Sequence, residues 1–378
     1  MNGCQEVVNE KGEKVLSRKL AHIEKIEWIR PIEGKDRIVL AGVLGWTVIV
    51  QKSDYEVGQK CIFCEIDSVL PEKPEFEFLR SKKFRIKTMK MSGVLSQGIC
   101  FPMSMLPEGN YEIGDDVTEL MGITQYEPTM DREEDSKDDS NSVPSKKYPK
   151  FFMRWSWFRK LVLPKKQAKG FPSFISKTDE TRIQNAPFYL DMDCKYVATE
   201  KVDGQSGTFT LQRIKGKHFW NKDTYDFAVC SRNLRKWKKD TSSFWTVAEK
   251  YNLEEVLHKL IGDNEWVAIQ GECIAPNVQG NKYKVTEPDL YVFNLVYPNG
   301  RIGSVEAKKI IAEHGLKFVP IIGEEVSIKG MTVPEVLEYA TGKSQLYDTL
   351  REGIVFRSLD GKQSFKAVSP EFLIKHNE

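Results

Sequence analysis

The sequence has no disulfide pattern, no long apolar run, no marked excess of either charge and no internal repeat. Each absence removes a class of protein. Seven cysteines are scattered at Cys4, Cys61, Cys64, Cys100, Cys194, Cys230 and Cys273. An odd, dispersed set of this kind is no disulfide framework and points to a reducing, intracellular compartment. Cys61 and Cys64 have C-x-x-C spacing, but no second pair follows at zinc-ligand distance. Within the strand-like run QKCIFCEID they read as small core hydrophobes. The longest aromatic run, FFMRWSWFRKLVLP from Phe151, is too short and too basic to span a bilayer. The opening MNGCQEVVNEKGEK has no apolar segment of the secretory kind. No membrane partner is therefore expected. With 56 Lys and Arg against 54 Asp and Glu, net charge is only +2, so affinity for a polyanion must reside in local patches.

What is present divides the 378 residues into three regions. Residues 19–125 read as short strands separated by turns: RIVLAGVLGWTVIVQK, KCIFCEID and FRIKTMKMSGVLSQGICFP are rich in β-branched and aromatic residues broken by Gly, Pro and Asp. That pattern predicts a small all-β barrel or sandwich. Lys82, Lys83, Arg85, Lys87 and Lys90 cluster on one of these strands, as a solvated face or as a face for nucleic acid. Residues 127–150 are charged and poor in apolar side chains, the composition of a flexible linker. Residues 151–378 open on aromatics interleaved with Lys and Arg, a mixture that suits base stacking and phosphate attraction or the docking of the second domain. An α+β pattern follows. Strands are predicted near 195–213, 266–274 and 289–297, and helices in SSFWTVAEKYNLEEVLHKLI, SVEAKKIIAEHG and TVPEVLEYA.

One stretch of this region is out of character. EKVDGQSG, from Glu200, puts a lysine, an aspartate and two glycines inside an alternating, strand-like segment. Glycine there marks a bulge or a close backbone approach. Downstream stand Glu272 in WVAIQGECIAPN, Phe293 in LYVFNLVY, Glu352 in REGIVFRS and Lys366 in SFKAVSP. Each has an ordinary explanation alone, as a strand-end charge, a turn residue, a core aromatic or a solvated edge lysine. Together they permit one coherent chemistry. A lysine amine held neutral by desolvation or nearby cations is a nucleophile. Asp203, Glu272 and Glu352 offer the oxygen ligands, direct or through water, that a hard divalent cation takes. Such a cation and Lys366 would stabilise charge on an α-phosphate, and the Phe293 face can stack on a purine. Nucleotidyl transfer through a lysyl-AMP intermediate fits all of these parts.

The ordered series KVDG, GE, an aromatic strand, EGIV and a terminal lysine strand resembles the covalent nucleotidyltransferases, which comprise ATP-dependent ligases and mRNA capping enzymes. FPSFISKTDETRIQN, Phe171 to Asn185, looks like the opening segment of the RNA ligase 2-like branch. LAHIEKIEWIRPIEGKDRIVLAGVLGWTVIV and SGVLSQGICFP look like the OB module that one class of these RNA ligases carries in front of the catalytic domain. The resemblance implies an N-terminal all-β OB-type barrel (1–126), the linker (127–150) and an α+β nucleotidyltransferase domain with antiparallel sheets (151–378). It implies an ATP-dependent RNA ligase that joins 3′-OH and 5′-phosphate ends, held in a duplex as in repair, acting as a monomer with ATP and Mg²⁺ or Mn²⁺.

By the same resemblance Lys201 is the adenylylated nucleophile, and Glu200 and Asp203 serve the nucleotide and the metal–water shell. Arg232 lies near the ribose and the 3′-OH end, and Glu272 and Glu352 organise metal and nucleotide. Phe293 stacks on adenine with Val355 on its other face, Gly204 and Gly207 let the backbone lie close to the nucleotide, and Lys366 contacts the α-phosphate. One departure stands out: many relatives carry a second lysine two residues on, where this chain has Val368. A lysine of the OB module or Lys362 could replace it. Two other readings compete. A capping guanylyltransferase would place its OB domain after the terminal lysine strand, yet only 12 residues follow Lys366. A catalytically dead nucleic-acid scaffold would be expected to have lost main motif residues, and all of them are present.

Overall fold

The computed structural model describes residues 4–8, 14–91, 93–126, 170–216, 222–236 and 242–376. The charged segment 127–150 and the basic aromatic run from Phe151 lie outside them.

The N-terminal module is built on two three-stranded antiparallel sheets. Strands β1 (Ala21–Lys25), β2 (Trp28–Pro31), β3 (Ile38–Val43), β4 (Trp46–Gln51), β5 (Lys60–Cys64) and β6 (Ile99–Phe101) pair in the orders β6-β5-β1 and β2-β3-β4. Two-stranded pairings extend the module, and the strand pairing among the described residues does not close into one ring. Its core is nonetheless single: Ile23, Ile26, Val43, Trp46, Ile62, Phe63, Cys61 and Cys64 pack together, nearly all below 2 % exposed. The two cysteines of the C-x-x-C spacing are buried free thiols, as the strand reading requires. The supposed basic face is partly committed, because Arg85 pairs with Asp67 at 2.7 Å and lies 3.6 Å over the Tyr126 ring.

The C-terminal domain has two larger sheets. Strand β7 (Lys195–Lys201) is joined to β8 (Gln205–Ile214) across the break Val202–Gly204, then come β9 (Thr224–Cys230), helices α1 (Ser243–Lys250) and α2 (Leu253–Leu260), β10 (Trp266–Ile274) and β11 (Asp289–Tyr297). Helix α3 (Ser304–Glu313), β12 (Ile321–Ser327), α4 (Val333–Ala340), β13 (Gly353–Ser358), β14 (Ser364–Val368) and α5 (Pro370–His376) follow. The four-stranded sheet runs β12-β7-β13-β14, and the six-stranded one runs β9-β8-β10-β11 with two short strands, Gly300–Arg301 and Lys317–Phe318, both paired to β11. The periodicity of the sequence accounts for the helices: Leu253, Val256 and Leu257 are the buried residues of α2, at the i, i+3, i+4 spacing of one helix face. Helix α4 begins at Thr332, whose N–H donates to Glu335 Oε2 at 2.6 Å in a capping box.

Each sheet uses one face for its own core. Phe209, Leu211, Val267, Ile269, Leu290 and Val292 of the six-stranded sheet pack on α1, α2 and α3. Tyr196, Ala198, Ile354, Phe356, Phe365 and Ala367 of the four-stranded sheet pack on α4. Side chains alternate along a strand, so the intervening residues belong to the opposite faces. In the four-stranded sheet these include Lys201, Val355, Arg357 and Lys366, and in the six-stranded sheet Gln270 and Glu272. Those faces line the cleft.

The module and the domain are docked through a short strip. In the β3–β4 turn Gly45 donates its N–H to Gln184 O at 3.0 Å, and a Cβ there would lie 2.7 Å from Gln184 Cα. Trp46 Nε1 donates to Asn185 Oδ1 at 2.6 Å, and Asn185 Nδ2 donates to Glu65 Oε1 at 2.6 Å. Val368 and Leu373 complete the contact by entering the core of the N-terminal module.

Candidate active site

Lys201 ends β7 opposite Gly353, and Val368 stands beyond it in the same row. No β-carbon fits at 353, since it would lie 2.2 Å from Ala367 O. The Lys201 ammonium donates to Glu352 Oε2 at 2.5 Å. Burial by itself would lower its pKa, but the carboxylates of Glu352, Glu272 and Asp203 outweigh burial and leave it raised. This differs from the sequence-based expectation of an amine kept neutral. Here three acidic neighbours hold Lys201 charged, so its activation requires their charge to be offset.

Glu272 faces the same space from β10, opposite Ser206. Burial pushes its carboxyl up to about 8, while Lys201 pulls the other way. Among the described residues its side chain forms no hydrogen bond. Asp203, in the β7–β8 break, is paired with Lys282 Nζ at 2.8 Å and donates its backbone N–H to the Tyr283 hydroxyl at 2.7 Å. The described residues contain no cluster of three acidic, His or Cys side chains able to hold a metal directly. Asp203 and Glu352 are paired with Lys282 and Lys201, which leaves the half-buried, unbonded Glu272 carboxyl as the oxygen donor that a hydrated cation could take.

Phe293 reaches the cleft through an irregularity. Val292 is opposite Gly271 and Asn294 is opposite Gln270, so Phe293 is the extra residue of a bulge. Its ring is 5.6 Å from the Arg357 guanidinium carbon, and Arg357 comes from β13 of the other sheet. Val355 lies between Thr199 and Lys366 on that same face and is buried. Lys366 Nζ donates to Asp179 Oδ1 at 2.9 Å, and Arg232 Nη2 donates to Asp179 Oδ2 at 2.8 Å.

Four of the expected positions have surroundings that the sequence did not reveal. Glu200 does not share the Lys201 face: it is 1 % exposed, and it accepts bonds from Ser344 Oγ at 2.5 Å and Gln345 N–H at 2.8 Å. Alternation along β7 sends it to the opposite side, where it anchors the 344–347 loop. Gly204 is required by the protein's own packing, since a Cβ there would lie 2.5 Å from Cys273 O and 3.1 Å from Glu272 Cγ. Gly207 is likewise closed in by Cys273 Sγ and Phe244. The glycines of EKVDGQSG therefore let β8 pack tightly on β10 and bring Lys201 beside Glu272. Lys362 does not replace the missing second lysine, since it is exposed and pairs with Asp360 at 3.6 Å. A further cation is Lys282, paired with Asp203 and supplied by a loop in which Gln279, Asn281 and Lys284 all have positive φ. Neither Lys282 nor Asp179 was identified from the sequence, although Asp179 lies in the FISKTDET segment quoted above.

Comparison with known proteins agrees with this architecture. An OB-fold domain model matches residues 20–103 and an RNA ligase model matches residues 195–368. The RNA ligase of Naegleria gruberi with PPi is 31 % identical over 96 % of this chain and 99 % of that one, with a TM-score of 0.76. A lysine-to-alanine mutant of it with ATP and Mn gives 30 %, 95 %, 98 % and 0.74, and a glutamate-to-alanine mutant with AMP and Mn gives 31 %, 95 %, 99 % and 0.75. Comparison with curated proteins finds no match. The chain belongs to the RNA ligase family, with an N-terminal OB-fold domain ahead of the nucleotidyltransferase domain.

Proposed function

We propose that this ATP-dependent RNA ligase works through a lysyl-AMP intermediate on Lys201. The observation that carries the reading is the Lys201 amine set among Glu352, Glu272 and Asp203 where the two sheets face each other. Mutated residues in the Naegleria structures support the assignment: a lysine, an aspartate two residues on, two glutamates and a final lysine. Lys201, Asp203, Glu272, Glu352 and Lys366 have the same order and the same 14-residue last step (366 − 352).

In this mechanism the neutral Lys201 amine attacks the α-phosphorus of ATP. The Nζ–P bond forms and the bond to the β-phosphate oxygen breaks, releasing pyrophosphate. The proton shed by the amine is taken by solvent or by Glu352, which already accepts from Nζ. Phe293 and Val355 bracket the base, and Lys366 and Arg232 draw phosphate oxygens from opposite walls. AMP then passes to an RNA 5′-phosphate, and attack by a 3′-OH joins the ends and releases AMP. A bound Mg²⁺ or Mn²⁺, near Asp203, Glu272 and Glu352, supplies positive charge against the phosphates and the carboxylates.

The substrate in this reading is a duplex-held RNA break, the enzyme a monomer with domains at 1–126 and 151–378. No helix among the described residues is long and apolar enough to cross a membrane. The setting in this reading is a reducing, intracellular one, on the scattered, odd cysteine set of the sequence. The deciding experiment incubates the protein with α-labelled ATP and Mg²⁺ and looks for label on the denatured chain. Label that is absent from wild type cleared of pre-bound AMP, or that persists in Lys201→Ala, would sink the mechanism.

A further inference from the structure

A single carboxylate joins cations from both walls of the cleft. Asp179 receives Lys366 of β14 on one oxygen and Arg232, beyond the end of β9, on the other, at 2.9 and 2.8 Å. The backbone beneath it is fixed. Lys366 N–H donates to Thr181 O at 2.8 Å, the Thr178 and Ser206 hydroxyls are 2.5 Å apart, and Lys177 Nζ donates to Asn233 Oδ1 at 3.1 Å. The next residue has a different setting: Glu180 is 17 % exposed at its side chain and bonds Ser364 Oγ at 2.5 Å and Arg301 at 3.4 Å. Glu180 is the more enclosed of the two, a fastening to Ser364 and Arg301. Asp179 is 32 % exposed and Arg232 49 %, so their contact can exchange with an incoming anion at little cost.

A carboxylate held between a lysine and an arginine is a chemical stand-in for a phosphate. It has the same sign, the same acceptor oxygens and the same fit to the guanidinium fork, but less charge and one oxygen fewer. We propose that Asp179 is a resident counter-anion, which occupies the phosphate seat formed by Lys366 and Arg232 until a phosphate of ATP or of the RNA 5′ end displaces it. It is a positioning residue, acting through the two cations, and it sets how strongly an anion must bind to enter. The inference rests on the reading above that Lys366 and Arg232 face phosphate.

The test is Asp179→Asn, which keeps the shape and removes the charge, with Asp179→Ser as the second variant if thermal melting shows Asn to be misfolded. One arm measures KM and kcat for ATP in self-adenylylation, together with the Kd of pyrophosphate. The other measures KM for 5′-phosphorylated RNA with enzyme adenylylated beforehand. The expected result is a KM or Kd lower by about three- to tenfold, with kcat changed less, in the arm whose phosphate takes the seat. Unchanged or raised KM and Kd in both arms, with a lower kcat, overturns the proposal and makes Asp179 a structural clasp. Lys366→Ala and Arg232→Ala run alongside. If neither weakens any phosphorylated ligand, the seat itself is misread and the proposal fails for that separate reason.

Discussion

In the OB module His22 sits between Glu24 and Glu65, its ring nitrogens 2.9 and 3.3 Å from their carboxylates, and Asn185 adds a bond to Glu65. In the cleft Lys201 sits against Glu352, with Glu272 and Asp203 close enough to act on its charge. Both clusters place one cation among several carboxylates, and they differ in closure. All three side chains of the first are at most 7 % exposed, and both carboxylates are hydrogen-bonded. In the second, Lys201 is 25 % exposed and Glu272 has no hydrogen bond at its carboxylate among the described residues. Buried charge is tolerated when it is paired and bonded, and is costly otherwise. A closed cluster of this kind fixes a domain, and an open one leaves charge for a ligand to satisfy.

The comparison breaks most visibly at its two cations. Lys201→Ala is expected to abolish covalent labelling from ATP while moving the melting temperature little, because the side chain lies at an open strand end. A large loss of stability in that variant would assign Lys201 to the fold. His22 should behave in the opposite way. Burial works to lower its pKa, but the bonds to Glu24 and Glu65 prevail and raise it from 6.5 to about 9. The folded state therefore holds a proton that the unfolded chain releases above pH 6.5, and stability is full below that pH and lost as pH rises through 9. The interval corresponds to about 3 kcal/mol. Urea unfolding between pH 6 and pH 9.5 should show this slope, and His22→Ala should flatten it. A slope that survives the substitution would mean that other groups carry it.

Local physics determined which of these features the sequence could announce. Strands 266–274 and 289–297 and the helices at 304 and 333 were legible because alternation and helical spacing are short-range patterns. The series Lys201, Glu272, Phe293, Glu352 and Lys366 was legible through resemblance, and the fold brings all five to facing sheets. Side-chain direction was not legible. Glu200 and Lys201 are neighbours in sequence, yet strand alternation separates them by the thickness of a sheet. The bulge that turns Phe293 into the cleft leaves no mark in LYVFNLVY. Pairings at long separation were equally silent, since nothing near Asp179 foretells that it meets Arg232 and Lys366 at once, or that Lys282 meets Asp203.

Phe293 tests the open cluster through its ligand rather than its charge. Phe293→Ala should raise KM for ATP by about five- to 150-fold, the range expected from about 1–3 kcal/mol of lost base stacking, with much less effect on kcat once ATP saturates. Phe293→Tyr should restore most of the affinity. Equal losses in Ala and Tyr would point to packing against Arg357 as the role of this ring.

The smallest effect is the sharpest test of openness. Burial raises Glu272 from 4.5 to about 8, so the folded chain keeps a proton there that the unfolded chain gives up above pH 4.5. Stability from this group is present below that pH and disappears as pH climbs through 8. Glu272→Gln removes the titration while keeping the shape, so the variant should be more stable than wild type by about 1 kcal/mol at pH 9, well below the full pKa interval because the half-buried side chain stays within reach of solvent. Labelling by ATP should fall in the same variant. The corresponding change in the closed cluster, Glu65→Gln, should destabilise at every pH below 9, because it takes a charge from His22 and weakens the Asn185 contact. If both substitutions lowered stability alike, the two clusters would be one kind of structure, and the unbonded carboxylate at Glu272 would have no functional meaning.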